Sequence, residues 1–282
     1  MPSSVLQVRF QDAALSPALS VLCAGFELGD WRAQSLTDDL FQRHLTSFAL
    51  SYSEHDAITG ATAARSLKRA AEVVYATNKY RRRGEFGELI LHAALVDFFG
   101  ATPAVSKIYY KDSDNDTVKG FDSVHLVAAS DSVEIWLGEA KFYKDLNSAI
   151  DEAAKSISDH LTRDFLRREF VAITNKLDSN WPHAVEFADA LDEATSLDDI
   201  AKTIVIPVLI TYESEASAAA VAHDSDYIAA IELEAREAWS RFARKDLGTK
   251  LTVTLQLILL PMQSKERLLN LMHQKLNLYK HL

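Results

Sequence analysis

Within the segment GFDSVHLVAASDSVEIWLGEAKFY (120–143), three side chains have the types and spacing to do chemistry together: Asp122, Glu139 and Lys141. Side chains alternate faces along a strand, so Glu139 and Lys141 share a side with Ala140 opposite. Two antiparallel strands folded about the SDS turn near residue 131 would bring Asp122 level with residues 139–141. Two carboxylates can hold Mg²⁺, or Mn²⁺ in its place, and leave positions for water and a phosphate oxygen. The ion would polarise a phosphodiester and make a bound water nucleophilic near neutral pH. The lysine ammonium would orient that water or balance charge on the phosphoryl centre. Two bare carboxylates in one cleft repel, and a bound cation relieves that cost. An isolated E-x-K pair also reads as a surface ion pair worth about 0–1 kcal/mol. Asp122 at hairpin register favours the reactive reading. On that reading, alanine at Glu139 or Lys141 abolishes cleavage and leaves thermal stability nearly unchanged.

The preceding segment, RRRGEFGELIL, places Glu85 and Glu88 three apart on one face of a helix's first turn. Acids favour helix N-termini in any case. Glu88, however, borders a very apolar helix and is the better candidate for a further metal or water ligand, with Glu85 second. Other patterns carry less. Asp112, Asp114 and Asp116 fail as a calcium loop, because Thr117 stands where glycine belongs and Ser123 where glutamate does. His125 falls on the strand face opposite Asp122, and His92 lies on the apolar helix, so both read as structural. Tyr109, Tyr110, Trp136 and Tyr143 read as core before base-stacking residues. No phosphate-binding G-x-x-x-x-G-K-[ST] loop, G-x-S-x-G elbow or H-E-x-x-H motif is present.

The elements that must position these residues follow from periodicity. VLQVRF (5–10) and VLCAGFEL (21–28) read as strands. Residues 36–54 fit a short helix capped by Thr37 or a strand, and stay open. A helix is predicted from Thr62 to about Tyr80 and another over 87–100, closed by Gly100. Strands follow at 105–111, 121–129 and 133–143, then an amphipathic helix over 147–161 with Asn147 as its cap. A helical region carrying Arg163, Arg167 and Arg168 leads to a strand at 203–213. A helix over 224–245, a long strand at 250–262 and a closing helix at 265–282 complete the chain.

The order helix, three strands, helix, with Gly84-x-x-x-Glu88, then Asp122, then Glu139-Ala-Lys141, resembles the PD-(D/E)xK nuclease superfamily over residues 84–161. More narrowly, RRGEFGELILHAAL, KGFDSVHL, LGEAKFY and AIDEAAKSISDHL resemble the HamA family, the nuclease subunits of Hachiman anti-phage defence systems, over most of the chain. Asp122 follows Phe121 where the superfamily's name has a proline. The resemblance implies a restriction-endonuclease-like α/β fold, with a central mixed sheet flanked by helices. The order of elements, without a linker rich in Pro, Gly or Ser, divides the chain into an N-terminal extension (1–61) packed on the core and a nuclease domain (62–282), with strand–helix additions at 203–282. The resemblance further implies a helicase subunit (HamB-like) that engages DNA and uses ATP while this chain cuts.

Composition is compatible. With 48% hydrophobic and 25% charged residues, nine glycines and six prolines, the 282-residue chain reads as an ordinary folded protein. A single cysteine, Cys23, excludes an internal disulfide framework and a four-thiolate zinc site. The N-terminus lacks a secretory pattern and no apolar run is long enough to span a bilayer, so a cytoplasmic location is expected. The net charge of −10 disfavours unaided approach to DNA. Residues 62–83 reverse that sign locally, with seven basic residues against the one acid Glu72. Arg81, Arg82 and Arg83 are its candidate DNA contacts. A metal-dependent DNA endonuclease delivered by a helicase is the leading expectation. A catalytically idle nuclease-fold adaptor that regulates a helicase, and a stand-alone DNA repair nuclease, remain the alternatives.

Overall fold

The structure, a computed structural model, describes residues 4–75, 84–106, 120–128, 133–249 and 251–282. Arg81, Arg82 and Arg83, the SDS turn, the three aspartates at 112–116, and Tyr109 and Tyr110 lie outside the described residues.

The chain opens with β1 (Gln7–Asp12), β2 (Ala18–Cys23) and a two-stranded ribbon of β3 (Phe26–Glu27) and β4 (Asp30–Trp31). Helices follow: α1 (Ala33–Asp39), a π-helical turn (Leu40–His44), α2 (Leu45–Ala49), α3 (Tyr52–Asp56), α4 (Ala63–Tyr75) and α5 (Gly84–Phe99). The motif region is β5 (Thr102–Ser106), β6 (Ser123–Ala128), β7 (Val133–Phe142) and α6 (Leu146–His160). Then come α7 (Arg163–Thr174), α8 (Ala184–Ala190), α9 (Leu197–Ala201), β8 (Ile204–Glu213), α10 (Glu215–Ala219), α11 (Ser225–Ala243), β9 (Thr254–Met262) and α12 (Lys265–Lys280).

Seven strands form one mixed sheet in the order β1-β2-β9-β8-β7-β6-β5. The four inner strands β2, β9, β8 and β7 run parallel, while β1, β6 and β5 pair antiparallel to their neighbours. β1 and β2, from the first sixty residues, are therefore strands of the central sheet itself. The near-continuous apolar run of β8 matches its place between two parallel strands with both faces covered. Alternation divides its side chains between two cores. Val205 and Leu209 pack with α5, α12 and the 33–50 helices, and Ile204, Ile206, Val208 and Ile210 pack with α6, α7 and α11.

The ambiguous segment after residue 32 is helical. Its apolar residues Leu36, Leu40, Phe41, Leu45 and Phe48 are all fully buried in the first core, and that burial decides between the two local readings. Thr37 does not cap: it sits inside α1 and its hydroxyl donates to Ala33 O at 2.9 Å. Ser51 caps α3 with Glu54 closing a capping box. The cap of α6 is Asp145, whose carboxylate accepts from Ser148 N at 2.8 Å; Asn147 instead lies inside the helix and accepts from Arg241 through Oδ1.

Candidate active site

The hairpin register is the one that the spacing predicts. Ser123 pairs with Gly138, and the ladder runs one step further, with Asp122 N donating to Gly138 O at 2.8 Å. The Asp122 carboxylate then accepts from Ala140 N through Oδ2 at 2.9 Å. The acid thus replaces a strand neighbour at the point where β6 has not yet begun. Glu169 of α7 accepts from Phe121 N through Oε1 at 3.2 Å and holds the approach to Asp122.

Two glycines let the layers close on this hairpin. A Cβ on Gly87 would stand 2.9 Å from Phe142 Cβ, and a Cβ on Gly138 would meet Ser123 Oγ and, at 2.8 Å, Leu91 Cδ2. Both distances are below ordinary packing contact. The first turns of α5 can therefore lie directly on β7, which brings Glu88 to the rim of the hairpin. An open cleft of about 580 Å³ results, lined by Glu88, Asp122 and Lys141, with Ala140, Phe142 and Tyr143 from β7 and its end. Glu85 is buried but does not line the cleft.

Glu139 occupies a different station. It is 2% exposed, and its Oε1 stands 2.6 Å from Lys141 Nζ. Its Oε2 lies 3.5 Å from His160 Nδ1, at the last residue of α6. The His160 ring stacks on Phe165 at 4.5 Å between centroids and meets Phe121 edge-on at 5.0 Å. Burial pushes the Glu139 carboxyl up, but His160 and Lys141 outweigh burial and hold it below the usual glutamate range. Burial likewise pushes Lys141 down, but Glu139 and Asp122 more than restore its charge, and its pKa is raised. Lys141 is thus a fixed cation between the buried Glu139 and the cleft-lining Asp122. Truncating either member of so buried a pair would not leave stability unchanged, contrary to the sequence-based expectation.

Mg²⁺ uses one or two carboxylates and fills its remaining positions with water and phosphate oxygens. Asp122 and Glu88 facing one cleft beside Lys141, with Glu139 one ion pair behind, fit that requirement. They do not form a closed cage. Among the described residues, the trio whose ligand atoms all lie within 4.8 Å of one another is Asp39, His44 and Asp97. There Arg43 already holds both acids, at 3.2 Å from Asp39 and 2.6 Å from Asp97, so that cluster is an ion-pair network.

The two histidines expected to be structural lie away from the cleft lining. His92 Nδ1 and His125 Nε2 share a hydrogen bond of 3.1 Å, and Ser47 Oγ lies 2.9 Å from His92 Nε2. Burial lowers both, His125 to about 3. Trp136 is core, and Tyr143 borders the cleft. In the described part of the basic strip, Arg69 pairs with Glu54 and Lys68 donates to the Leu282 carbonyl. His160 carries no motif of its own in the sequence, and only the fold of α6 back along β7 brings it to Glu139.

Among the described residues no helix is long and apolar enough to cross a membrane. Among curated proteins no match is found. The family model HamA, in contrast, matches residues 3–276, nearly the whole of the seven-stranded unit and all of its cleft. The chain belongs to the HamA family of Hachiman defence-associated proteins.

Proposed function

We propose that the chain is a Mg²⁺-dependent DNA endonuclease that acts with a helicase subunit in Hachiman anti-phage defence. The observation that carries this reading is the cleft itself. Asp122, from the start of the hairpin, and Glu88, from the first turns of α5, both line it, and Lys141, held by Glu139, supplies its cation. The cleft lies beyond the carboxyl end of a parallel strand, β7, where open α/β sheets commonly bind ligands. Asp122 and Glu88 would hold Mg²⁺, with Glu139 behind them as the partner that fixes Lys141 and as a further carboxylate for the metal. The ion would supply an activated water and charge neutralisation at the phosphoryl group.

This chain's own residues supply the rest. Lys141 is charged across the neutral range and stands beside Asp122, where an ammonium can meet a phosphate oxygen or orient water. Asp122 is fixed by its bond from Ala140 N, so its second oxygen has a defined direction. His160, packed against Phe121 and Phe165, sets the Glu139 carboxylate from behind. A chain of net charge −10 with no phosphate-binding loop in its sequence suits a nuclease brought to DNA by an ATP-using partner.

The test is nicking of supercoiled plasmid by the chain together with its helicase, in Mg²⁺ and in EDTA. Cleavage that needs Mg²⁺ and disappears in Asp122→Asn supports the reading. An adaptor without catalysis would leave the plasmid intact in every arm while still altering the helicase's ATP turnover.

A further inference from the structure

Lys265 enters the same cleft from the other end of the sequence. It is the first residue of α12, which starts just beyond the end of β9. Because β7, β8 and β9 are parallel, their carboxyl ends come together, with Phe142 beside Thr211 and Glu213 beside Met262. The start of α12 therefore falls next to Lys141 and Tyr143 whatever the sequence separation.

The two cleft lysines are in opposite situations. Lys141 is paired with Glu139 at 2.6 Å. The Lys265 ammonium makes no ion pair among the described residues and lies over the rings of Phe142, at 4.9 Å from the centroid, and Tyr143, at 5.7 Å. The nearby acid, Glu213, is already engaged. Its Oε1 accepts from the Lys265 backbone N–H at 3.0 Å and its Oε2 faces Lys144 Nζ at 3.3 Å. Burial lowers the pKa of Lys265, against a partial rise from Glu213. A half-buried cation held in place by two rings, without a carboxylate of its own, costs desolvation that an anionic ligand in the cleft would recover.

We infer that Lys265, seated on Phe142 and Tyr143, is an anchor for a backbone phosphate of the nucleic-acid strand next to the phosphate that faces Asp122 and Lys141. This deepens the nuclease reading and rests on it for the identity of the ligand. Lys265 is a substrate-binding residue with no part in activating water. The helix start at Ser264–Lys265 adds its backbone dipole with the same sign.

The experiment is binding of a short labelled DNA duplex to the full chain in EDTA, followed by anisotropy across a salt series. Lys265→Ala and Lys265→Gln should each remove one phosphate contact, flattening the slope of log K against log salt by about 0.9 and weakening binding about eightfold near 0.1 M salt. Lys265→Arg should keep both values, and so should Lys202→Ala, remote and paired with Asp199. An unchanged slope in Lys265→Ala, an arginine variant as weak as alanine, or no duplex binding by the unaltered chain overturns the anchor. The readout is binding, so it separates from the nuclease reading. A chain that shows the slope change but never cuts with Mg²⁺ and its partner loses the nuclease function and keeps the anchor. One whose Lys265→Ala variant cuts with unchanged KM keeps the nuclease function and loses the anchor.

Discussion

Lys141→Met is the perturbation whose outcome follows most closely from the geometry. Glu139 is 2% exposed and the Lys141 side chain 16%, with 2.6 Å between their charged atoms. Methionine keeps most of the lysine's stem and volume but leaves Glu139 as a buried carboxylate. Removing one partner of a buried pair costs about 3–5 kcal/mol. The Lys141 side chain keeps 16% exposure, so water can reach the stranded carboxylate from that side, which places the expected loss near the lower end, ~3 kcal/mol. For a chain of this size that lowers Tm by roughly 6–12 °C. The double variant Glu139→Gln/Lys141→Met removes both charges and should return to within ~1 kcal/mol of the unaltered protein, since paired removal is commonly near neutral. Thermal and urea denaturation in EDTA, with the two single variants and the double, complete the cycle. A Lys141→Met protein that melts within about 1 °C of the original, no more than the shift that ~0.5 kcal/mol would give, would refute the buried-pair argument.

Three other outcomes are expected. His92 and His125 are held neutral by burial, His125 to about 3 against an ordinary 6.5; the unfolded chain then binds the extra protons, so their contribution is complete above pH 6.5 and is lost as pH falls toward 3. Tm should accordingly drop between pH 7 and pH 5, less so in His125→Phe, and an identical slope in that variant would contradict the assignment. Asp122→Asn keeps an acceptor for Ala140 N, so its Tm should stay within the shift of ~1 kcal/mol while calorimetric Mn²⁺ binding is lost; a variant that binds Mn²⁺ as before removes Asp122 from the ligand set. Gly87→Ala would drive a Cβ to 2.9 Å from Phe142 Cβ, an overpacking that costs about 1–3 kcal/mol by urea denaturation, and a neutral result would mean that α5 does not need its close seat on β7.

The strands, the long helices and the hairpin register were legible because each rests on local alternation or on the spacing between Asp122 and Glu139. The place of Glu88 in the cleft was legible from its position bordering a very apolar helix, although the preference of acids for helix N-termini gave it a second reading. Residues 33–50 were not, because strand and helix periodicities fit equally until Phe41 and Phe48 find their core. The depth of Glu139 depends on α6 and His160, and neither is visible in E-x-K. Lys265 was read only as the start of the closing helix, because its place in the cleft comes from the parallel alignment of β7, β8 and β9 across more than a hundred residues of chain. The segments around α8, α9 and α10 are too short to carry a period of their own.

The most direct measurement is the cleavage of supercoiled plasmid by the chain together with the proposed helicase subunit over a Mg²⁺ titration, with Glu139→Gln and Lys141→Met run beside the unaltered protein below their melting temperatures. Nicking that rises with Mg²⁺, is absent in EDTA and is lost in both variants is the predicted result. Nicking by either variant at the unaltered rate, or cutting that persists in EDTA, would contradict a phosphodiester-cleaving role for this cleft.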